Sequence, residues 1–399
     1  MALTVSKRCM AIAPSVTLAI NAKAKEMRAK GIDVIGFGVG EPDFDTPEYI
    51  CEAAKRAIDE GQTRYTPVAG TAELRRAIAA KLKKDNCLDY DPADIIVSNG
   101  AKQSLYNALC AILDPGDEVL IPAPAWVSYP EMVAMADGKP VLVQADEDNS
   151  FLVTIEQLRA AVTPRTKAII INTPNNPNGN VCPRELLEEI AALAVEKQLF
   201  VISDEIYEKL IYDGAQHVSI ASLNDRIKAQ TIVVNGVSKT YAMTGWRIGY
   251  AAGPSDVIKA MVRFQSHATS NANSIAQAAA AEALKNGEKQ IKAMVEEFDA
   301  RRVMMDRLIN GVKGLSANRP VGAFYTMVNI SGVLGKRYQG RLIEDSTSFS
   351  DMLLEAVNVA VTPGKAFGSD DHVRMSYATS RENIAEGVRR IESFIAQLQ

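Results

Sequence analysis

One lysine of the chain follows a predicted strand, the place where open α/β sheets bind their ligands. The apolar run Thr231–Asn235 leads through a turn at Gly236 to Lys239. A desolvated lysine can be neutral, and a neutral amine forms an imine with a carbonyl carbon. Arg247 lies eight residues further on, and its planar, permanently charged side chain suits a phosphate. Lys239 is therefore the candidate imine-forming residue, although most of the 44 Lys and Arg residues are expected to be ordinary surface charges.

A carboxylate also follows a predicted strand. The apolar run Phe200–Ser203 ends directly before Asp204, and a buried aspartate is rare unless it is paired. A protonated pyridine nitrogen would be such a partner, and the protonated ring of pyridoxal phosphate is the electron sink for a carbanion at a substrate carbon. Asp204 alone would suggest a helix N-cap, but beside Lys239 it favours a cofactor role. Tyr207 could donate to the cofactor's ring oxygen, or it could be a packed aromatic side chain.

Two further turns follow predicted strands and carry polar groups. The loop at residues 173–179 is rich in Asn, Pro and Gly, which makes it rigid, and an Asn fixed in it could bind the same ring oxygen. The turn Asn99–Lys102 joins a strand to a helix start, where backbone N–H groups and the helix dipole favour an anion. The chain has no P-loop motif, and Gly36–Gly40 has the wrong spacing for a dinucleotide fingerprint. Nucleotide-binding functions therefore lose support.

The strands that would position these groups alternate with helical patterns from about residue 90 to residue 255. Several strands are continuous Val/Ile runs, which is typical of parallel strands buried on both faces. Helices are predicted at Ser104–Leu113 and Arg184–Lys197. The pattern predicts an α/β fold with a mostly parallel central sheet flanked by helices. The predicted strands are Ile95–Ser98, Glu118–Ile121, Pro140–Gln144, Ala168–Asn172, Phe200–Ser203, Thr231–Asn235 and Ile248–Ala251.

A second, smaller α+β unit is predicted from the rest of the chain. Residues 256–310 are helical in pattern, and Val295–Ile309 is long enough to bridge two lobes. Residues 1–45 have no strand series of their own, so we expect them to pack against this unit. The expected division is a large domain at residues 46–290 and a small domain formed by residues 1–45 and 291–399. Its predicted elements are strands at Ala323–Val328, Val357–Val361 and Val373–Tyr377 and a final helix at about Arg381–Gln399.

The composition predicts a cytoplasmic protein that binds neither nucleic acid nor a membrane. The 399 residues are 47% hydrophobic and 23% charged, with a net charge of −4 and no basic stripe. The five cysteines are scattered and form no C-x-x-C pair, which indicates reduced thiols. With only three histidines, none near a cysteine pair, we expect no metal. The apolar stretch Cys9–Ala13 is cut short by Pro14, so it predicts a surface segment and not a signal peptide.

Taken together, these motifs resemble the class I pyridoxal-phosphate-dependent aminotransferases. The string Ser238–Tyr250, SKTYAMTGWRIGY, resembles the cofactor-attachment signature of that family. The motifs occur in the family's order from residue 15 to about residue 380, and Ala123–Pro130, APAWVSYP, places the resemblance closest to the bacterial-type aspartate aminotransferase branch. The other matching strings are Gly40–Pro47, the Asn-Pro-x-Gly turn at Asn176, Ser203–Tyr207 and Arg374–Ala378.

The resemblance implies a fold-type I homodimer with shared active sites at the subunit interface. It implies that Lys239 forms the imine and shuttles the proton, and that Asp204 pairs with the pyridine nitrogen. Trp126 would stack on the ring, and Tyr65 would reach the phosphate from the partner subunit. The full set implied for the cofactor is Lys239, Gly100, Ala101, Lys102, Trp126, Asn176, Asp204, Tyr207, Ser238, Arg247 and Tyr65.

The resemblance also implies how an amino acid and a 2-oxo acid are bound. Arg374 would grip the α-carboxylate, a task that suits its bidentate geometry. The remaining substrate contacts implied are Gly40, Trp126, Asn176, Lys102, Ser15 and Thr17. The last three would meet the side-chain carboxylate of aspartate or glutamate, although helix-start packing is an equally good role for Lys102.

Two positions depart from the family's pattern, and a third differs from one group of relatives. Gly236 stands where the family often has a hydroxyl residue, so one phosphate contact is expected to be missing or to come from the backbone. Asn178 replaces the common Thr in the Asn-Pro-Thr-Gly turn, with little expected effect. Relatives that accept prephenate have a basic residue where this chain has Ala13, which lowers support for that substrate.

The sequence therefore predicts an aminotransferase that moves an amino group from an L-amino acid, most favourably aspartate, to 2-oxoglutarate. Aromatic amino acids, alanine and prephenate stay open as alternative substrates. The same motifs occur in pyridoxal-phosphate lyases, which differ more in substrate grip than in cofactor grip. A non-catalytic regulator that binds the cofactor is a further alternative, but it would need a DNA-binding module, and the motifs span essentially the whole chain.

Overall fold

The computed structural model describes residues 3–14 and 16–399 and leaves out the side chains of residues 8, 16–18 and 21. The helices are α1 (Lys7–Met10), α2 (Val16–Ala29), α3 (Glu48–Asp59), α4 (Ala72–Asn86), α5 (Ala101–Ile112), α6 (Ser128–Met135), α7 (Ile155–Ala161), α8 (Arg184–Lys197), α9 (Asp225–Lys228), α10 (Ser255–Ala268), α11 (Ser274–Asn286), α12 (Glu288–Ile309), α13 (Ser346–Val357) and α14 (Arg381–Ile395). The strands are β1 (Ile35–Gly36), β2 (Ile95–Ser98), β3 (Glu118–Ala123), β4 (Lys139–Gln144), β5 (Thr166–Asn172), β6 (Phe200–Asp204), β7 (Thr231–Gly236), β8 (Gly249–Ala252), β9 (Ser316–Ala317), β10 (Tyr325–Asn329), β11 (Arg337–Tyr338), β12 (Arg341–Leu342), β13 (Val359–Ala360), β14 (Thr362–Pro363) and β15 (His372–Ser376).

A seven-stranded sheet in the order β2-β8-β7-β6-β5-β3-β4 forms the centre of the molecule. All seven strands predicted from the sequence are present in it, with bounds that differ by at most two residues at either end. Strands β3 to β7 pair in parallel, and β8 is antiparallel to both β2 and β7. The expected mostly parallel sheet is therefore confirmed. Its Val/Ile runs are buried because helices cover both faces.

Helix α5 begins earlier than the sequence pattern indicated. The prediction started at Ser104, because the apolar periodicity begins there, whereas the helix starts at Ala101. Gly100 precedes it with φ +85°, a backbone conformation that glycine adopts without strain. The first turn of α5 therefore lies directly beyond β2, at the carboxyl edge of the sheet. Helix α8 has the predicted bounds.

A four-stranded antiparallel sheet, in the order β14-β15-β10-β9, forms a second layer. The predicted strand Val357–Val361 is wrong in its bounds, since α13 continues to Val357 and Asn358 ends that helix in a left-handed conformation. The chain then forms the short strand β13, which pairs with β1. The last helix ends at Ile395 and not at Gln399.

Helix α12, with 22 residues, contacts the cores of both layers. Ile291 in its first turn packs on the core that α4 and α11 form beside the central sheet. Phe298 lies in the core of the antiparallel sheet, together with Phe37 from the N-terminal segment. Within the described part of the chain, no helix is both long enough and apolar enough to cross a bilayer.

Candidate active site

A cavity of about 280 Å³ opens at the carboxyl ends of the central strands. This edge of a sheet is where open α/β folds bind ligands. Gly100 lies beside the cavity without lining it, and Tyr65 is an exposed side chain outside it. Ser15 and the side chain of Thr17 lie outside the described residues. The predicted residues that line the cavity are Gly40, Ala101, Lys102, Trp126, Asn176, Asp204, Tyr207, Ser238, Lys239, Arg247 and Arg374.

The amine of Lys239 lies inside this cavity. Its Nζ donates to the carbonyl oxygen of Gly40 over 2.5 Å. Burial lowers the pKa of Lys239 to about 8, Glu41 opposes that shift, and Arg247 and Arg374 add to it. Burial is the larger cause, as expected for a desolvated lysine. At neutral pH this amine is therefore neutral far more often than an ordinary lysine.

The carboxylate of Asp204 is buried at the end of β6. Its Oδ2 accepts a 2.7 Å hydrogen bond from the hydroxyl of Tyr129, and its Oδ1 accepts one from the Ile206 N–H at 3.3 Å. No α-helix begins at this point, so Asp204 is not the helix N-cap considered as the alternative. Burial raises the pKa of Asp204 to about 6, while the hydrogen bonds from Tyr129 and Ile206 oppose that shift. It makes no salt bridge within residues 3–14 and 16–399, so a cationic ligand group would stabilise it.

An anion cradle lies between the start of α5 and Arg247. Arg247 is held by two carbonyl oxygens, with Nη1 donating to Thr244 over 2.8 Å and Nη2 donating to Asn99 over 3.2 Å. A Cβ at Gly100 would overlap the guanidinium of Arg247, so the glycine allows this close approach. Ser238 is buried beside the cradle. Backbone N–H groups at a helix start and an arginine together suit a phosphate.

Arg374 lines the cavity and is almost fully buried. Its Nη1 donates to Oδ1 of Asn176 and its Nη2 to the carbonyl oxygen of Gly38, both over 2.9 Å. The ring centroid of Tyr325 is 4.4 Å from its Cζ. Its Nε has no hydrogen-bond partner among the described residues. A buried donor without a partner is costly, so this nitrogen is available for a ligand carboxylate.

Lys102 is also directed toward the cavity. Its Nζ lies 4.8 Å from the ring centroid of Trp126, which is a cation–π contact. Burial lowers the pKa of Lys102, and Arg247 adds to that effect. Within the described part of the chain, none of the four cavity cations forms a salt bridge. They are Lys102, Lys239, Arg247 and Arg374.

Two tyrosines at the site were not assigned from the sequence. Tyr129, whose hydroxyl donates to Asp204, lies in the string Ala123–Pro130 that resembles the family, but no role was assigned to it. Tyr325 places its hydroxyl 3.0 Å from that of Tyr207 and lies in a strand that was predicted. Neither contact has a local signal, because the partners are 75 and 118 positions apart.

The two departures from the family pattern that the structure describes at the site have physical explanations. A Cβ at Gly236 would lie 2.9 Å from the carbonyl oxygen of Ile248, so this backbone leaves no room for a side chain. Asn178 accepts a 2.9 Å hydrogen bond from the Asn180 N–H and so stabilises its own turn. Neither residue puts a new group into the cavity.

These residues fit pyridoxal phosphate. One cavity is lined by four kinds of group that this cofactor needs. They are an amine with a lowered pKa, a buried acid without a cationic partner among the described residues, a phosphate cradle and an aromatic ring. The acid would pair with a pyridine nitrogen, and the amine would bond to an aldehyde.

Comparison with known proteins agrees with this chemistry. Residues 32–391 match the family model described as aminotransferase class I and II. The aspartate aminotransferase of Bacillus subtilis is 48% identical over 390 residues, 98% of either chain. The aspartate/prephenate aminotransferase of Cereibacter sphaeroides is 49% identical over 97% of either chain. The crystal structure of the aspartate aminotransferase from Rhizobium meliloti superposes with a TM-score of 0.96, at 44% identity and full coverage of both chains. The chain therefore belongs to the class I and II aminotransferase family and is a pyridoxal-phosphate-dependent transaminase of fold type I.

Proposed function

We propose that the chain transfers the amino group of L-aspartate to 2-oxoglutarate by a ping-pong reaction. The observation that most strongly supports this proposal is the positive charge of the cavity. Four cations face it, and Asp204 is the only acid among the described residues that line it. A phosphate and a dicarboxylic acid together supply the anions that such a cavity lacks.

The lining residues would hold the cofactor at several points. Lys239 would bond to its aldehyde, and Asp204 would pair with its pyridine nitrogen. Asn176 and Tyr207 would bind its ring oxygen, and Trp126 would lie against its ring. The phosphate would be held by Gly100, by the backbone N–H groups of Ala101 and Lys102 at the start of α5, and by Ser238 and Arg247. Tyr65 of the partner subunit would complete the site.

When bound, the cofactor supplies an electron sink for the pair left on the substrate's α-carbon. Lys239 would accept the α-proton on Nζ, because burial allows its amine to be neutral near pH 8. Arg374 would bind the α-carboxylate through Nε and its Nη atoms, and so present the Cα–H bond to that amine. Gly40, whose carbonyl oxygen accepts from Lys239, would contact the substrate.

The side-chain carboxylate of aspartate would be met by Lys102, with Ser15 and Thr17 as hydroxyl partners. Lys102 is the one remaining cavity cation once the phosphate and the α-carboxylate are paired. Ala13 offers only a methyl group, so no cation stands at that position for prephenate. Aspartate aminotransferases are among the relatives at about half identity, which supports the same substrate.

The test compares kcat/KM for the amino donors aspartate, alanine and phenylalanine with 2-oxoglutarate as the acceptor. Glutamate is assayed as donor with oxaloacetate, and prephenate is assayed as acceptor with aspartate as donor. We expect aspartate to give the highest value. In Lys102→Met the aspartate value should fall about 10- to 100-fold, the size of one charge-assisted hydrogen bond, while the alanine value changes little. The control is Lys292→Met, whose side chain is 79% exposed on α12. A higher value for alanine or phenylalanine than for aspartate, or for prephenate than for 2-oxoglutarate, would refute the substrate assignment.

The same assay separates a lyase. In a transaminase, the absorbance of the cofactor bound to Lys239 is lost when the amino donor alone is added, and it returns when a 2-oxo acid is added. A lyase releases ammonia or a thiol and needs no 2-oxo acid.

We also propose a homodimer with shared active sites. Tyr65 is 92% exposed and lies outside the cavity of its own chain, which is consistent with a role in a second subunit. Lys239→Ala chains and Tyr65→Ala chains should each be impaired alone. Mixed after unfolding and refolding, they should regain activity, because the hybrid contains one site with both residues. No regain, or a monomer in sedimentation, would contradict the proposal.

The cellular location and the domain division belong to the same proposal. All five cysteines are free thiols, which fits the cytoplasm, and cell fractionation tests this location.

We divide the chain into a large domain at residues 46–290 and a small domain at residues 1–45 with 291–399, because Phe37 and Phe298 share one core. Scattering in the presence and absence of a dicarboxylate would show whether these parts move as units.

A further inference from the structure

We propose that Tyr129 is a positioning residue of the reaction, whose hydroxyl orients the Asp204 carboxylate and stabilises its negative charge. The proposal rests on the proposed function, in which Asp204 faces the pyridine nitrogen. It adds a residue whose own ring and hydroxyl do not need to touch the substrate.

The geometry of the contact carries the argument. Tyr129 and Asp204 are both buried, at 2% and 3% exposure, and the hydroxyl-to-Oδ2 distance is 2.7 Å. Among the described residues, the other carboxylate oxygen accepts only from the Ile206 N–H, at 3.3 Å. Tyr129 is thus the nearer donor of the two and the one that comes from a different element. Without it, one backbone donor would fix the orientation of a carboxylate that must meet a ring nitrogen.

The direction of the hydrogen bond follows from the electrostatics. Burial and the Asp204 charge raise the pKa of Tyr129 well above its usual range, so the hydroxyl stays protonated and donates. The charged groups that act on Asp204 are Glu205, which opposes its ionisation, and Lys239, which favours it. Among the interactions that lower the pKa of Asp204, the hydrogen bond from the Tyr129 hydroxyl has the largest effect.

Tyr129 also connects two parts of the site. Its ring packs edge-on against Trp126, with centroids 5.3 Å apart and planes at 86°. Its N–H donates to the carbonyl oxygen of Trp126 over 3.0 Å. The aromatic ring that would lie against the cofactor and the acid that would pair with it are therefore held by one side chain.

The experiment uses Tyr129→Phe, which removes the hydroxyl and keeps the ring against Trp126. The affinity of the cofactor-free protein for pyridoxal phosphate is measured from pH 5 to pH 8. The control is Tyr212→Phe, since Tyr212 is equally buried and donates over 2.6 Å to the Ala323 carbonyl oxygen, away from the cavity.

We expect the affinity to fall as Asp204 takes up a proton, and to fall at a higher pH in Tyr129→Phe than in the parent or in Tyr212→Phe. The cofactor's own titrations are common to all three proteins and cancel in the comparison. At pH 7.5 we expect kcat/KM to fall about 10- to 100-fold in Tyr129→Phe, as for the loss of one charge-assisted hydrogen bond. Equal affinity profiles in all three proteins would overturn the proposal and leave Tyr129 a packing residue.

A second variant keeps the test valid if Tyr129→Phe folds poorly. Replacing Tyr129 alone with 3-fluorotyrosine keeps its shape and makes its hydroxyl a stronger donor. The affinity profile should then move to lower pH, opposite to the Phe variant, and an unchanged profile or a shift to higher pH would overturn the proposal. If the parent bound the cofactor but processed no aspartate, the proposed function would fail while this affinity test still decided the role of Tyr129.

Discussion

Arg374 and Asn176 are 198 positions apart in the chain and are joined by a 2.9 Å hydrogen bond from Nη1 to Oδ1. The arginine is buried, yet the oxygens that accept from it are neutral. Its orientation is therefore fixed without cancelling its charge. A buried cation of this kind is expensive unless a ligand anion completes the pairing.

The first prediction concerns that arginine. Arg374→Lys keeps the charge but loses the fork, so we expect kcat/KM for both amino acid and 2-oxo acid to fall about 100-fold, mainly through KM. Steady-state kinetics check this, with pyridoxal phosphate affinity expected to stay close to the parent value. The control is Arg319→Lys, which changes an ion pair with Asp306 far from the cavity. A loss of the same size in the control would contradict the assignment.

The second prediction concerns pH and the amine of Lys239. Its pKa is lowered to about 8, from an ordinary value of 10.5, mainly by burial. The neutral form attacks aldehydes, so covalent capture of pyridoxal phosphate by the cofactor-free protein should speed up with rising pH and level off above about pH 8. Stopped-flow absorbance gives the rate. A rise that continues to about pH 10, as for a free lysine side chain, would contradict the buried environment.

Borohydride reduction tests which lysine captures the cofactor. It fixes the captured cofactor covalently, and peptide mass spectrometry should place the label on Lys239. Lys239→Arg should take no label and lose at least about 1,000-fold in turnover, because arginine does not become neutral. Labelling of another lysine in the parent protein would refute the assignment.

The third prediction compares two glycines with nearly equal backbone angles. Gly100 has φ +85° and Gly116 has φ +89°. Alanine at either position strains the backbone by about 1 kcal/mol. Only at Gly100 would the new methyl group displace Arg247, since no atom of the described residues lies within 4 Å of a Cβ at Gly116. Gly100→Ala should therefore weaken pyridoxal phosphate binding about tenfold or more, and Gly116→Ala should not. Calorimetric titration measures both, and equal affinities would argue against the cradle.

The fourth prediction concerns a buried charge cluster behind the site. Lys81 forms a salt bridge with Glu208, and both side chains are 5% exposed. Glu205, Glu208 and His217 place their ligand atoms within 4.8 Å of one another, but Lys81 already supplies positive charge there. Lys81→Met should cost about 3–5 kcal/mol of unfolding free energy, because it removes the nearest cation from a buried carboxylate. The control on the same helix is Lys83→Met, whose exposed pair with Asp89 should contribute at most about 1 kcal/mol.

The same cluster predicts a dependence on pH. Lys81, His217 and Asn86 overcome the effect of burial and lower the pKa of Glu208 from 4.5 to about 2. A carboxyl with a lowered pKa stabilises the fold above its unfolded value, and that contribution is lost as the pH falls toward the folded value. The difference between the parent and Lys81→Met should therefore narrow between about pH 4.5 and pH 2 in urea unfolding. A constant or growing difference would show that Glu208 is not the partner involved.

Much of the architecture could be predicted from the amino-acid sequence. Continuous Val/Ile runs predicted seven strands of the central sheet, and all seven are present. Helix α8 was predicted with its bounds because its apolar periodicity and its polar flanks coincide. Lys239, Asp204 and the turn at Gly100 were found because each follows a strand, and a shared sheet edge brings strand ends together.

Other features depended on the packed structure. The contacts Tyr129–Asp204, Tyr207–Tyr325 and Arg374–Asn176 join residues 75, 118 and 198 positions apart. Periodicity reports which face of an element is buried, but it carries no information on which side chain lies opposite. The lowered pKa of Lys239 and the raised pKa of Asp204 also arise mainly from burial. Strand order, helix crossing and desolvation are properties of the assembled chain, so they alone decided which tyrosine holds the acid and which oxygens hold the arginine.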